Sequence, residues 1–236
     1  MHYNLLFNGC SYTEGMELEG PECDLNYQNT HRFSHIVAEK SGLSYCNIAK
    51  SGGSNESILR RTFEWFEQGN TCDHAIIQWT YRFRRDFFIT DYKFINILPN
   101  IEIFEPKRSK YLQQISKIRK HHISIQDNSN DQYNQDMCMS WMKYFLKDKC
   151  SVFYLKLFKE PAVCSSYYNK SQYHKFISDI ELHYIEGNIL NPKNKFLYCN
   201  PIKNNFHLNG SHPNRFGHMK IANYILNNDN YFKNKL

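Results

Sequence analysis

Two rhythms of apolar and polar positions alternate along this chain: short unbroken apolar runs, and longer stretches with apolar residues every three or four positions. The first rhythm predicts buried strands and the second predicts amphipathic helices. Tyr3 to Asn8 reads as a strand bounded by Gly9, Ser44 to Ala49 as a second, and "AIIQWT", Ala75 to Thr80, as a third. Val152 to Phe158 and Phe196 to Cys199 supply a fourth and a fifth. Between the strands, His31 to Ser41 sets Phe33, Ile36 and Val37 at helical spacing and stops at Gly42, a C-terminal signal. Ser54 to Phe66 carries Ile58, Leu59, Thr62, Phe63 and Phe66 on one face, with Ser54 or Asn55 as its cap. Asn214 to Leu226 predicts a closing helix with Phe216, Met219, Ile221, Ala222 and Ile225 available for packing.

Strands alternating with helices require crossover connections, and these produce a parallel sheet covered on both faces. Sites in such sheets form at the C-terminal ends of the strands. "GCSYTEG" follows the first strand, "KSGGSN" the second and "TYRFRR" the third, so three polar loops meet on one edge. The stretch from about Phe83 to Gln135 breaks the rhythm and is too long for a plain connection. It reads as an insertion over that edge, a lid or a partner-binding flap. Within it "SKYLQQISKIRK" is helical in pattern, and "QDNSNDQYNQD" reads as an exposed linker into a helix from about Gln135 to Leu146.

A chain of 236 residues fits one sizeable domain, here taken as 1–236 with the insertion at about 83–135. The formal charge of +6 is mild and its basic residues are spread out. A nucleic-acid binder usually shows a denser stripe, so no nucleic-acid partner is expected, and the run from Lys117 to His122 reads as a solvated face. Eight cysteines without a C-x-x-C pair, several in apolar runs, suggest buried thiols in a reducing compartment. Neither a signal peptide nor an apolar run of membrane length is seen, so the expected location is cytoplasmic with no membrane contact. The oligomeric state is not legible.

The chemistry rests on a serine and a histidine. Ser11 sits on the loop after the first strand, and His212 precedes the last helix. A serine hydroxyl is a weak nucleophile at neutral pH and needs a base within hydrogen-bond reach, most often an imidazole. This topology lets the two meet over the sheet edge, and Pro213 helps fix the turn that presents the ring. Two readings compete for the first loop: Cys10 as the nucleophile, and Ser11 as a mere helix cap with Glu14 three residues on. Histidines at 207, 212 and 218 cluster in sequence, but no H-E-x-x-H or paired Cys/His spacing occurs, so no metal and no cofactor is expected. His218, on the last helix, reads as a packed or capping residue.

Four blocks, "NGCSYTEG", "NIAKSGGSNESI", "IIQWTYRFR" and "NGSHPNRFGHMKIA", resemble those of the GDSL-like or SGNH hydrolases, in the family's order and over most of the chain. The resemblance implies a three-layer α/β/α sandwich with a parallel five-stranded, flavodoxin-like sheet. It also implies a serine ester hydrolase with Ser11 as nucleophile and His212 as base. Gly52 falls on the oxyanion-hole glycine. The expected substrate is a small-molecule or glycan acyl ester, with O-acetyl groups of a glycan as one case. Two positions depart from the family. Asn209 stands where an aspartate would orient the histidine, and Thr80-Tyr81-Arg82 stands where an asparagine would donate to the oxyanion. Asn209 can hold the ring without charging it, and Thr80 or Arg82 can donate in place of the asparagine. The competing reading is an SGNH-fold binding or structural module with weakened or lost catalysis.

Overall fold

Leu5, Leu6 and Phe7 are all fully buried, although neighbouring residues of a strand point to opposite faces. Both faces of this strand must therefore be covered, as in a parallel sheet wrapped by helices. The computed structural model describes residues 1–16, 18, 25–89, 93–97, 128–156, 182–184 and 212–233. In chain order the elements are β1 (His2–Asn8), α1 (Ser11–Glu14), α2 (Leu25–His31), α3 (Phe33–Ser41), β2 (Tyr45–Asn47), α4 (Asn55–Glu67) and β3 (Thr71–Trp79). Then come β4 (Arg85–Ile89), β5 (Lys93–Ile97), α5 (Asn128–Leu146), β6 (Ser151–Lys156), β7 (Leu182–Tyr184), α6 (Arg215–Asn228) and α7 (Asn230–Lys233).

The main sheet runs β2-β1-β3-β6-β7, and every pairing in it is parallel. One face carries Leu5, Phe7, Ile76, Phe153 and Leu155 against Phe33, Val37, Ile221, Ala222, Ile225 and Phe232 from α3, α6 and α7. The other carries Leu6, Ala75, Ile77, Trp79 and Tyr154 against Ile58, Trp65, Met139, Met142 and Leu146 from α4 and α5. This is the three-layer α/β/α sandwich with a five-stranded parallel sheet that the sequence predicts. Each large apolar side chain enclosed in this way contributes about 1.5–3 kcal/mol.

Sequence signals set the element ends. Ser54 caps α4, its hydroxyl accepting the Ser57 N–H at 3.0 Å. The Gly42 N–H returns to the carbonyls of Ala38 and Glu39 and stops α3. The Asn214 side chain accepts from Phe216 and Gly217 at the start of α6. Other expectations need correction. The fifth strand of the sheet is Leu182–Tyr184, and Phe196–Cys199 lies outside the described residues. The helix expected from Gln135 already begins at Asn128, so the stretch read as a linker is largely helical. Its polar side chains face protein: buried Asp131 lies 3.4 Å from Arg85 Nε, and Gln132 accepts from Arg82 at 3.1 Å. On α6, Phe216 and Met219 are 47% and 41% exposed, and His218 takes the buried position expected of them.

Within the stretch read as an insertion, β4 and β5 form an antiparallel hairpin. It is tied to α4 by charge. Asp86 accepts from Ser54 Oγ and from Arg60 Nη1, both at 2.8 Å, and Arg85 Nη1 donates to Glu56 at 2.9 Å. At the opposite end of the sheet, His74 Nε2 donates to Asp229 at 2.6 Å, and its Nδ1 lies 2.7 Å from Ser151 Oγ. Tyr231 stacks flat on the same imidazole at 4.4 Å, which fastens α7 under β3 and β6.

Candidate active site

The loop after β1 is held from below by Asn8. Its buried amide donates to Ile58 O and Thr62 Oγ1 at 2.8 Å each, while its oxygen accepts the Gly9 N–H at 2.8 Å. Gly9 packs too closely for any side chain. A Cβ there would overlap Thr13 Oγ1 and lie 2.9 Å from Gln78 Cβ. Arg61 spans from α4 to this loop and the next, donating to Gly9 O at 2.9 Å and Ile48 O at 3.1 Å.

Ser11 is the first residue of α1, and Cys10 occupies the cap position without a side-chain cap bond. The helix-cap reading of Ser11 with Glu14 is therefore overturned. The Glu14 carboxylate instead accepts the Ser51 N–H at 2.6 Å and the Ser51 hydroxyl, tying the first loop to the second. The Ser11 hydroxyl lies 2.8 Å from Nε2 of His212, and both residues are buried. Tyr12 flanks the imidazole, with ring centres 5.2 Å apart. Pro213 and the Asn214 cap follow directly, so the ring is presented from the start of α6. Asn209 and His207 lie outside the described residues.

The end of β3 forms the third wall. Gln78 is buried and clamps the first loop. Its Oε1 accepts from the Cys10 N–H at 3.3 Å and Thr13 Oγ1 at 2.8 Å, and its Nε2 donates to Trp79 O at 2.9 Å and Cys10 Sγ at 3.2 Å. Burial pushes the Cys10 thiol up, but the Arg84 guanidinium, the Tyr12 N–H and the Gln78 amide outweigh it and bring it below its usual value. Thr80 is buried, its N–H donates to Asn55 Oδ1 at 2.9 Å, and its side chain also helps bring the Cys10 thiol down. Arg82 Nη1 is drawn to Gln132. Gly52 sits in a turn with φ of +73°, a backbone favouring glycine, and nothing lies within 4 Å of where its Cβ would be. A cavity of about 300 Å³ behind this loop is lined by Asn47, Lys50, Arg61 and Gln68 among others, and includes neither Ser11 nor His212.

Ser11 and His212, 201 positions apart in sequence, are thus in hydrogen-bond contact. Thr80 and Arg82 stand on the loop after the adjoining strand, and Gly52 stands on the loop fastened to α1 through Ser51. Sequence reasoning missed Gln78, Asn55 and Arg84. Gln78 had a signal, a lone amide in an otherwise apolar strand end. Asn55 had none beyond its place beside the cap. Among the described residues no group of three or more His, Cys, Asp or Glu is arranged to hold a metal, and no helix is long and apolar enough to cross a membrane. Cys10, Cys46, Cys72, Cys138 and Cys150 are free thiols.

No family model matches the chain, and no curated protein matches it in sequence. Solved structures similar to it include a carbohydrate esterase whose active site displays divergent catalytic and non-catalytic binding functions. That match has a TM-score of 0.48 and 11% identity, and covers 95% of this chain and 67% of that one. Another is the acetyl xylan esterase Est2A from the rumen bacterium Butyrivibrio proteoclasticus, with a TM-score of 0.47, 13% identity, and 95% and 63% coverage. A third is a carbohydrate esterase family 2 enzyme plus carbohydrate-binding domain from Corynascus thermopiles (Myceliophthora fergusii), at 0.45, 12%, and 95% and 65%. The chain therefore spans about two thirds of the length of these esterases.

Proposed function

We propose that this protein is a serine ester hydrolase working through a Ser-His dyad. One observation carries the reading: the 2.8 Å contact between Ser11 Oγ and His212 Nε2 at the C-terminal edge of a parallel sheet. A base at that distance can take the hydroxyl proton as oxygen attacks an acyl carbonyl. The protonated imidazole then gives the proton to the departing alcohol, leaving an acyl-serine. Water, deprotonated by His212, attacks that ester and releases the acid. The N–H groups of Ser11 and Gly52 and the hydroxyl of Thr80 are the proposed donors to the oxyanion, each worth roughly 3 kcal/mol of barrier. Asn209 is the proposed partner that orients the ring. The substrate class is an acyl ester of a small molecule or glycan, and the hairpin β4–β5 belongs to a flap beside the site. The free thiols favour a reducing, cytoplasmic setting.

Turnover of p-nitrophenyl acetate by the wild type and by Ser11→Ala and His212→Ala tests this. Loss in both variants is expected, and equal rates in all three proteins would sink the reading. Asn209, standing where the resembling family has an acid, favours a second reading: a binding module that kept the fold. Stoichiometric labelling of Ser11 by a fluorophosphonate would eliminate that alternative.

A further inference from the structure

The loop "TYRFRR" carries three arginines with different commitments. Arg82 Nη1 donates to Gln132 at 3.1 Å. Arg85 is held by Glu56 at 2.9 Å and Asp131 at 3.4 Å. Arg84 differs: its Nε and Nη1 are buried, and neither meets an acceptor among the described residues. The neighbouring Asp86 is engaged by Ser54 and Arg60, and Glu56 Oε1 by Arg85. Arg84 itself is positioned by the fold. Its N–H closes a turn onto Tyr81 O at 3.2 Å, and its guanidinium lies over the Tyr81 ring at 5.5 Å.

A buried N–H without an acceptor is unfavourable in the free protein and becomes favourable when a ligand supplies the acceptor. Position points to which ligand. The loop leaves β3 beside β1, where Asn8 pairs with Ile77, and the loop after β1 holds Ser11. The Arg84 charge acts on Cys10, the residue before Ser11, and offsets part of the burial that pushes its thiol up. Arg84 is therefore a cation with two buried nitrogens that meet no acceptor among the described residues, on the loop adjoining the one that bears Ser11 and near enough to act on Cys10.

We propose that Arg84 receives a carboxylate carried by the substrate, so that the preferred esters bear a negative charge close to the scissile acyl group. This inference rests on the ester-hydrolase reading and adds a substrate class to it. Arg84 is then the specificity-determining residue of the site, separate from the oxyanion donors. Charge-assisted hydrogen bonds of this kind correspond to roughly ten- to a hundredfold in selectivity.

The test compares p-nitrophenyl hemisuccinate with its neutral methyl ester. The readout is the ratio of their kcat/KM values, which does not depend on the fraction of enzyme that is folded. The wild type is expected to favour the hemisuccinate. Arg84→Gln should lower the ratio at least tenfold, mainly through KM for the charged ester, and Arg84→Lys should restore part of it. A wild type without preference overturns the proposal, as does an Arg84→Gln variant with an unchanged ratio. If neither ester is turned over, the hydrolase reading fails and calorimetry with succinate judges Arg84 separately. Binding to Ser11→Ala that weakens tenfold on adding Arg84→Gln supports its role as a carboxylate receptor. Equal binding, or none, overturns it.

Discussion

His218 Nδ1 accepts the Phe33 N–H at 3.1 Å, so an imidazole on α6 caps the first turn of α3. An accepting Nδ1 places the proton of the neutral ring on Nε2. Burial, reinforced by His212 and Arg32 nearby, pushes this histidine down to about 3. In the unfolded chain it titrates near 6.5. Above pH 6.5 both states hold the neutral ring and no penalty exists. Between 6.5 and about 3 the unfolded chain takes up a proton that the fold refuses, so this histidine lowers stability by about 1.4 kcal/mol per pH unit. Urea unfolding at pH 7.5 and 5.0 measures the slope. His218→Gln keeps an acceptor but cannot titrate, so its slope should be shallower, and an equal slope would refute the assignment.

Asn209→Asp should raise kcat. An aspartate beside the ring supplies the charge that stabilises imidazolium, and in related triads this difference reaches about 10⁴ in rate. Even a tenfold gain on p-nitrophenyl acetate would place residue 209 next to His212. No gain would remove it from the proposed machinery.

Gln78→Leu should damage both stability and rate. It strips the acceptor from the Cys10 N–H and the Thr13 hydroxyl, two of the groups that hold the Ser11 loop. Leaving such buried donors unpaired costs about 1–3 kcal/mol. A midpoint shift in urea with unchanged kcat in the folded protein would show that the clamp has no part in placing the serine.

Asp229→Ala should destabilise without touching chemistry. It leaves His74 Nε2 without its 2.6 Å partner and removes the acceptor for the Tyr231 N–H at 3.0 Å. Leaving a buried donor of this sort without its acceptor costs about 1–3 kcal/mol. The contact lies at the N-terminal ends of β3 and β6, away from the loop that bears Ser11. Fluorophosphonate labelling of Ser11 in the folded variant should therefore proceed at the wild-type rate.

Local rules made much of the fold readable. Leu5-Leu6-Phe7 demanded a strand covered twice, Ser54 announced α4, and Gly42 ended α3, because each depends on a few neighbouring residues. Failures arose where distant partners decide. Asp131 and Gln132 read as solvent-facing until the arginines of the β3 loop are brought beside them. His218 displaced Phe216 from the core because an orphan helix N–H needed an acceptor there, and periodicity does not count such needs. Ser11 and His212 were legible as a pair because their blocks carry a family resemblance. Arg84 was not, since nothing in "TYRFRR" tells which arginine is left without a partner.

The contact between Ser11 and His212 spans 201 positions, and α6, which presents the histidine, packs on α3 near the other end of the sequence. Ribosomes make the loop with the serine early and the imidazole late. Until His212 is made, the Ser11 hydroxyl has no imidazole beside it and remains an ordinary alcohol. Any chain cut before residue 212 remains so however well its sheet forms. The Ser11–His212 contact therefore reports on closure of the whole sandwich, and for the proposed hydrolase an ester assay would read out folding mutants anywhere in the molecule.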